Sequence, residues 1–321
     1  MKNRLITKIT DCVPNHIKPI NYLMDTLDLG RESAYRRLRG EIPFTMEEVS
    51  KLSLELGFSI DETVCEKRIN KVLLDVFPEH PDPAKRFLSM LRRYCNTMQI
   101  SEGSNSEVLA AQNRLPLSLL IHNEYLFKFY YYKYVHHSDI LEQYPFSDLV
   151  VPEEIMACRS EFLRRTTSVN NFYYIVNSRS FFLNICREIQ YCYSRRLITS
   201  DEVNKLQTDL YSLLNFIRKV IETGADKRVG NNVFFYLSYM EISANGAYLS
   251  SGDNIASLFW IYYTYFIEIR NSEICKMHRN WFDTMKKYAI LISQSNEIFQ
   301  SKFFDQQCQQ IDNITKDILY M

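Results

Sequence analysis

The sequence INYLMDTLDLGRESAYRRLRGEIPFTMEEVSKLSLELG, residues 20–57, divides into three short amphipathic segments separated by Gly30 and by residues 40–43. The middle segment, residues 31–39, carries four arginines against a single acidic residue, Glu32. A short basic helix held between two apolar helices is an arrangement by which proteins present side chains to a DNA groove. This stretch therefore predicts three short helices, and its middle segment is the first candidate for a functional surface.

The segments on both sides of this unit extend the helical pattern. The last segment begins with a capping box, Thr45-Met-Glu-Glu48, in which the Thr hydroxyl and the Glu carboxylate satisfy free backbone amides. Gly57 ends that segment. An N-terminal domain of four to five helices follows from these signals, with helices near residues 2–11, 19–28, 31–39, 45–56 and 61–75.

The predicted third helix has two different faces. Ala34 and Leu38 lie on one face and are expected to pack on the second and fourth helices. In such motifs the N-terminal end of this helix enters the major groove, where an arginine can read guanine through two hydrogen bonds. Arg39, at the C-terminal end of this helix (its exit), is expected to contact a DNA phosphate. The residues expected to contact DNA, at the helix ends or away from the packed face, are Arg31, Glu32, Ser33, Arg36, Arg37 and Arg39.

Residues Leu23 to Leu38, followed by Gly40 and by TMEEVSKLSLELGFSID, resemble the helix-turn-helix of lambda-repressor/Cro-like bacterial regulators. The resemblance covers about residues 17–65 and implies double-stranded DNA as a partner. One position departs from the family pattern. The family usually has its turn glycine one residue after a leucine, where this chain has Asp28 after Leu27. Gly30 comes later, which indicates a turn that is one residue longer.

Composition narrows the function classes. Glycine is scarce, at 8 of 321 residues, which disfavours folds that cradle phosphates in glycine loops. No GxSxG, GxxxxGK[ST] or HExxH motif occurs, and no Cys/His spacing matches a metal site. The net charge of the chain is zero, although residues 1–40 carry a net charge of +4 and residues 41–66 a net charge of −6. We therefore expect no enzyme, no cofactor, no metal and no nucleic-acid binding by bulk charge alone.

The cysteine and hydropathy patterns indicate a cytoplasmic protein. The eight cysteines are scattered and contain no CxxC pair, which is typical of free, mostly buried thiols in a reducing compartment. The N-terminus lacks the layout of a signal peptide. The most apolar run, SLFWIYYTYFIEI at residues 257–269, is too short to span a bilayer. No membrane partner is predicted.

The segment FPEHPDP, residues 77–83, contains three prolines and predicts a stiff joint between domains at 1–76 and 84–321. Proline does not occur after Pro152, which favours long helices in the second domain. The helices predicted there lie near residues 84–98, 122–137, 152–166, 172–196, 201–223, 272–292 and 295–319. Beyond residue 84 the chain also loosely resembles the long C-terminal regions of some bacterial regulators, which implies a regulatory or oligomerising role.

One region of the second domain breaks the helical pattern. Residues 232–269 are dense in aromatic and β-branched residues, and Asn245-Gly246 is a strong hairpin-turn signal between two such runs. A small antiparallel sheet is therefore expected, with a further edge strand near residues 107–111. The expected fold class is mainly α, with an N-terminal helix-turn-helix domain and a larger helical domain that carries this small β-hairpin sheet.

The helix predicted over 201–223 carries an apolar seam with spacings of 3, 4, 3, 4 and 3 residues. The seam consists of Val203, Leu206, Leu210, Leu213, Ile217 and Val220. It has two interpretations, a contact between two chains or a buried bundle helix, and the apolar flanking sequence favours the second. The 22 tyrosines and 20 phenylalanines indicate core packing more strongly than a ligand pocket, although a tyrosine-lined cavity would suit a peptide or small effector.

These features predict a sequence-specific DNA-binding transcriptional regulator. Its helix-turn-helix would enter the major groove, and its second domain would form a homodimer and sense an effector, a peptide or a small molecule. The alternative is a protein-interaction adaptor that uses the helix-turn-helix unit to contact a protein. A third class, an enzyme with a site in the second domain, would need a deep polar pocket with clustered ionisable groups, and the sequence contains no such cluster.

Overall fold

The computed structural model describes residues 2–14, 17–56, 58, 60, 80–101, 103, 105–138, 144–227, 230–261 and 265–316. The chain divides into two compact units, Met1–Leu73 and Leu74–Met321. The helix predicted near 61–75 and residues 77–79 of the predicted joint lie outside the described residues.

The first unit is a small helical domain. Its described helices are α1 (Lys2–Cys12), α2 (Pro19–Leu27), α3 (Arg31–Leu38) and α4 (Met46–Leu56). The predicted positions of these four helices are confirmed. Each contributes to one core, whose buried residues are Ile9, Leu23, Ala34, Leu52 and Phe58. Pro19 occupies the first turn of α2, where its missing N–H costs no hydrogen bond.

The second unit begins with a capped helix at the end of the predicted joint. The Asp82 carboxylate accepts a hydrogen bond from the Ala84 N–H at 2.9 Å, and Pro83 starts the helix. The helices of this unit are α5 (Pro83–Met98), α6 (Leu117–Leu120), α7 (Glu124–Ser138), α8 (Glu153–Thr166), α9 (Leu183–Ser194), α10 (Ser200–Thr223), α11 (Ser272–Tyr288) and α12 (Glu297–Asp312). Among the described helices, none combines the length and apolar character needed to cross a bilayer.

The expectation of a mainly α fold with a small β-hairpin sheet is wrong. One mixed sheet of eight strands runs through the second unit, in the order β3-β4-β2-β1-β5-β6-β7, with β8 paired to β4. The strands are β1 (Glu107–Gln112), β2 (Asn171–Asn177), β3 (Ala225–Asp226), β4 (Asn231–Ser238), β5 (Gly246–Ser251), β6 (Asn254–Trp260), β7 (Phe266–Ile269) and β8 (Ile290–Leu291). β2 pairs in parallel with β1 and β4, whereas β1, β5, β6 and β7 pair antiparallel in succession.

Four sequence expectations fail at this sheet. The helix expected over 272–292 ends at Tyr288, and Ile290–Leu291 form β8. The helix expected over 172–196 does not begin at residue 172, because residues 172–177 belong to β2. A strand covered on both faces is apolar along most of its length and loses the period-two pattern. Residues 107–111 belong to a central strand and not to an edge. The hairpin joins β5 to β6 through Gly252, whose φ of +58° suits glycine, while Asn245-Gly246 only leads into β5.

The two faces of the sheet have different coverings. Val108 and Ala110 of β1 belong to the main core, to which all the helices of the unit except α11 contribute. Leu109 and Ala111 point to the opposite face, where they pack in a smaller core with Cys275 and Phe282 of α11. This alternation defines a helix-rich face and an α11 face of the sheet.

The apolar seam of α10 is buried in the main core. Each of its six residues has a relative exposure of 6% or less. The helix begins at the predicted capping box, in which Thr199 and Glu202 bond each other's backbone amides. The seam is therefore buried, as the second interpretation expects, although the helix packs on strands of the sheet as well as on other helices. The seam is not available for contact between two chains.

Candidate functional site

The turn between α2 and α3 consists of Asp28, Leu29 and Gly30. Asp28 adopts a left-handed backbone conformation, with φ 52° and ψ 48°. The N–H groups of Asp28 and Leu29 both donate to the carbonyl of Met24. Asp28 thus takes the left-handed conformation that a glycine commonly adopts after a helix, and Gly30 ends the turn in an extended conformation.

The helix α3 buries one face and exposes the other. Ala34 is fully buried in the core of the first unit, and Leu38 packs partly buried against that core. The exposed residues of the predicted contact set are Arg31, Glu32, Arg36 and Arg39. We call these four residues the α3 surface. They cover both the N-terminal end and the exit of the helix.

Arg37 and Ser33 are placed differently from the sequence expectation, which had them face DNA. The Arg37 guanidinium donates to both carboxylate oxygens of Glu48, at 3.0 Å from Nε and 2.7 Å from Nη2. Its Nη1 donates to the Ser33 hydroxyl at 2.6 Å. Only 12% of the Arg37 side chain is exposed. Arg37 therefore joins α3 to α4 through two parallel hydrogen bonds, a strong form of ion pair.

Glu48 has a second role in the same unit. Its carboxylate accepts the Thr45 N–H at 2.9 Å while its own N–H donates to the Thr45 hydroxyl at 3.2 Å, which completes the predicted capping box. Burial raises the pKa of Glu48, but the hydrogen bonds from Arg37 and Thr45 and the charge of Arg37 outweigh it, so the pKa is lowered overall. One carboxylate thus starts α4 and fixes the orientation of α3.

The exit of α3 concentrates positive charge. Arg36 lies 3.4 Å and Arg39 lies 3.8 Å from opposite oxygens of the Glu41 carboxylate. The Arg39 guanidinium also lies over the Tyr35 ring, 4.6 Å from its centroid. The two arginine side chains are 50% and 63% exposed, so these surface pairs stabilise the fold little. The arrangement leaves two exposed cations beside one acid, which suits contact with a phosphate backbone.

A separate cavity lies inside the second unit, on the helix-rich face of the sheet. It lies between the strands β1, β2, β5 and β6 and the helices α5 to α9. A neighbouring space shares four lining residues with it, Ser118, Thr166, Phe172 and Tyr174. We call the first of these spaces the sheet cavity.

Three ionisable residues with formal charge line the sheet cavity, and the sequence interpretation missed all of them. They are Arg114, just after β1, Lys133 on α7 and Glu188 on α9. Lys133, only 5% exposed, forms an ion pair with Glu188. The sequence could have indicated that Lys133 is buried, because this residue lies within the aromatic run FKFYYYKY at residues 127–134. A lysine on a helix that is apolar all round needs a buried partner.

Burial is the largest influence on the pKa values of the residues that line this cavity. Burial lowers the pKa of Lys133, Glu188 raises it in part, and the positive charge of Arg114 lowers it again. Burial raises the pKa of Tyr174 to about 12 and that of Tyr130 further. Both phenols therefore remain protonated at neutral pH, and each keeps an O–H group that can act as a hydrogen-bond donor.

The cysteines include one close pair. Cys95 of α5 and Cys158 of α8 lie 3.8 Å apart, sulfur to sulfur. The hydrogen bond from Cys95 and the charge of Arg92 lower the pKa of Cys158, against the effect of burial. The seven cysteines in the described part of the chain are free thiols, and Cys65 lies outside it. Within the same residues, no group of three or more His, Cys, Asp or Glu side chains could hold a metal ion.

Comparisons of the chain with family models, with curated proteins and with solved structures find no match.

Proposed function

We propose that this protein is a sequence-specific DNA-binding transcriptional regulator whose α3 enters the major groove. The observation that carries the proposal is that some residues of α3 fix the helix in place while others are exposed to solvent. Ala34 is buried in the core and Arg37 is held by Glu48, while Arg31, Arg36 and Arg39 are exposed. A recognition helix must be fixed in orientation and still present exposed side chains, and these placements of α3 residues support both requirements.

The roles proposed for individual residues follow from position. Arg31, in the first turn, is placed to read a base edge with Glu32 beside it. Arg36 and Arg39, with their partner Glu41 at the exit, are placed to contact phosphates. Ser33 and Arg37 act indirectly, since their hydrogen bonds hold α3 against α4.

The proposal extends to a homodimer, because regulators with this unit bind two half-sites about one helical turn apart, roughly 34 Å. The buried seam of α10 does not supply the contact between chains. Analytical ultracentrifugation of the full chain, alone and with DNA, tests this part, and two chains per duplex is the expected stoichiometry.

Fluorescence anisotropy of the full chain tests DNA binding. Duplexes from its own promoter region and scrambled duplexes of the same composition are compared at two salt concentrations. We expect tighter binding to the promoter duplex and a loss of affinity with salt. Arg36→Ala with Arg39→Ala should weaken binding at least tenfold. Arg164→Ala with Lys219→Ala removes the same charge from exposed sites in the second unit and should leave binding unchanged.

Equal and weak binding of both duplexes would overturn sequence-specific regulation. So would an equal effect of the two double variants. Unchanged DNA binding together with a stable co-purifying protein would favour the adaptor alternative.

A further inference from the structure

The sheet cavity contains an apolar part and a charged part, next to each other. Its floor consists of small and branched strand residues such as Val108, Leu249 and Leu258. One wall is aromatic: Tyr94 stacks with Trp260 at 6.1 Å between ring centroids and meets Phe162 edge-on at 6.0 Å. Such a lining accepts an apolar ligand body and excludes one that is polar throughout.

The charged part has an excess of positive charge. Arg114 and Lys133 contribute two cations and Glu188 contributes one carboxylate, so these three groups carry a net charge of +1. Lys133 is almost fully buried, and the positive charge of Arg114 is close enough to disfavour the protonated form of Lys133. Away from water, electrostatic interactions are stronger, and an additional anion at this position would stabilise both cations.

Hydroxyl donors lie next to the same charges. Tyr130 lines the sheet cavity from α7, the helix that carries Lys133, and Arg114 is near enough to influence its pKa. Tyr174 lines the cavity from β2, with its hydroxyl 3.4 Å from that of Ser118. Protonated phenols donate hydrogen bonds, so they select a ligand group that accepts them.

We propose that the sheet cavity binds a small monocarboxylate with an apolar body. Its carboxylate would lie between Arg114 and Lys133 and accept hydrogen bonds from the tyrosine hydroxyls. Its apolar body would lie along the aromatic wall formed by Tyr94, Phe162 and Trp260. The inference concerns the second unit alone and does not depend on DNA binding by the first.

Octanoate and 1-octanol are suitable probes, because they share an alkyl chain and differ in the carboxylate. Isothermal titration calorimetry with the full wild-type chain measures the binding of both ligands. We expect saturable binding of octanoate with one site per chain, and at least tenfold weaker binding of 1-octanol. Equal affinities, or no saturable binding of octanoate, would overturn the proposal.

Tryptophan fluorescence locates the ligand. The chain has two tryptophans, of which Trp260 lines the sheet cavity, whereas Trp281 packs on the α11 face. Trp281→Phe therefore leaves a single reporter in the cavity wall. Octanoate should change the emission of Trp260 with the same dissociation constant that calorimetry gives. A calorimetric signal without any change at Trp260 would place the ligand elsewhere and contradict the inference.

Arg114→Gln tests the recognition of charge. It should weaken octanoate binding at least tenfold and leave 1-octanol binding unchanged, which also shows that the cavity is intact. Arg195→Gln, at an exposed position after α9, is the matched control and should alter neither ligand. Unchanged octanoate affinity in Arg114→Gln would overturn the proposed site. If that variant does not fold, the comparison of the two ligands on the wild-type chain still decides.

Discussion

The guanidinium of Arg37 forms parallel hydrogen bonds to both oxygens of the Glu48 carboxylate, which also caps the helix α4. One of the four arginines that make residues 31–39 basic therefore fixes the helix, whereas Arg36 and Arg39 remain exposed. A substitution at Glu48 acts on two helices at once.

Glu48→Gln should destabilise the first unit by about 1–2 kcal/mol. The amide can still cap α4, but it leaves the mostly buried Arg37 without an opposite charge. Hydrogen–deuterium exchange measured by mass spectrometry on peptides of α3 and α4 reports the local opening. Glu47→Gln, at an exposed position on the same helix, is the control and should leave the protection of α3 unchanged.

The contribution of Glu48 to the stability of the first unit should decrease at low pH. Its pKa is lower in the folded protein than the usual value of 4.5, so its stabilising effect is fully present above about pH 4.5 and declines as pH falls through the folded pKa. The difference in protection between wild type and Glu48→Gln should therefore shrink on acidification. A difference that grows towards low pH would contradict the assigned role.

Asp28→Gly should stabilise the first unit by about 0.5–1 kcal/mol. Asp28 holds a left-handed conformation that glycine adopts without the steric cost of a Cβ atom. Exchange protection of α2 and α3, or the thermal midpoint of the first unit, measures the change. Asp25→Gly, within α2, is a control of opposite sign, because glycine disfavours a helix interior. Destabilisation by Asp28→Gly would mean that the aspartate side chain itself holds the turn.

Glu41→Gln should tighten DNA binding about two- to fivefold. The substitution removes the carboxylate that Arg36 and Arg39 share, and exposed pairs of this kind contribute less than about 1 kcal/mol. Anisotropy at low salt measures the gain, which should diminish at high salt. Glu222→Gln, exposed in the second unit, should have no effect. Weaker binding in Glu41→Gln would argue against phosphate contact by the exit of α3.

Cys158 should react with iodoacetamide at lower pH than Cys95. The hydrogen bond from Cys95 and the positive charge of Arg92 favour the Cys158 thiolate, while the pKa of Cys95 is raised by this hydrogen bond and by burial. Timed alkylation with peptide mass spectrometry across pH 6 to 10 gives the order. Cys95→Ala should move the onset of Cys158 alkylation to higher pH. Burial raises the pKa of Cys192 to about 11, and it serves as an unreactive reference.

The helices of the first unit could be predicted because their signals are local. Pro19, Gly40 and the Thr45 capping box each determine a boundary through bonds within a few residues of the chain. The fully buried Ala34 was likewise predictable from helical spacing. The pairing of Arg37 with Glu48 was not, because side chains on two helices meet only after the turn between them has its final geometry.

The sheet of the second unit is the main feature of the fold that the sequence pattern did not predict. Strand β2 pairs on both edges and is covered on both faces, so its sequence NFYYIVN contains no alternation that would separate it from a buried helix. The sheet cavity was missed for a related reason. Arg114, Lys133 and Glu188 come from three separate elements, and no spacing along the chain connects residues that the tertiary fold brings together.

The position of β1 has a consequence for synthesis of the chain. Glu107 lies opposite Asn171 on one side and Ser250 on the other, so the first strand to emerge waits for partners made much later. One edge of this apolar strand remains open to pairing with other chains until β2 is made, and the other remains open until about residue 250 is available. Nascent chains halted before β5 should therefore need chaperone protection, whereas the first unit, whose described core is complete by Phe58, can fold soon after it leaves the ribosome.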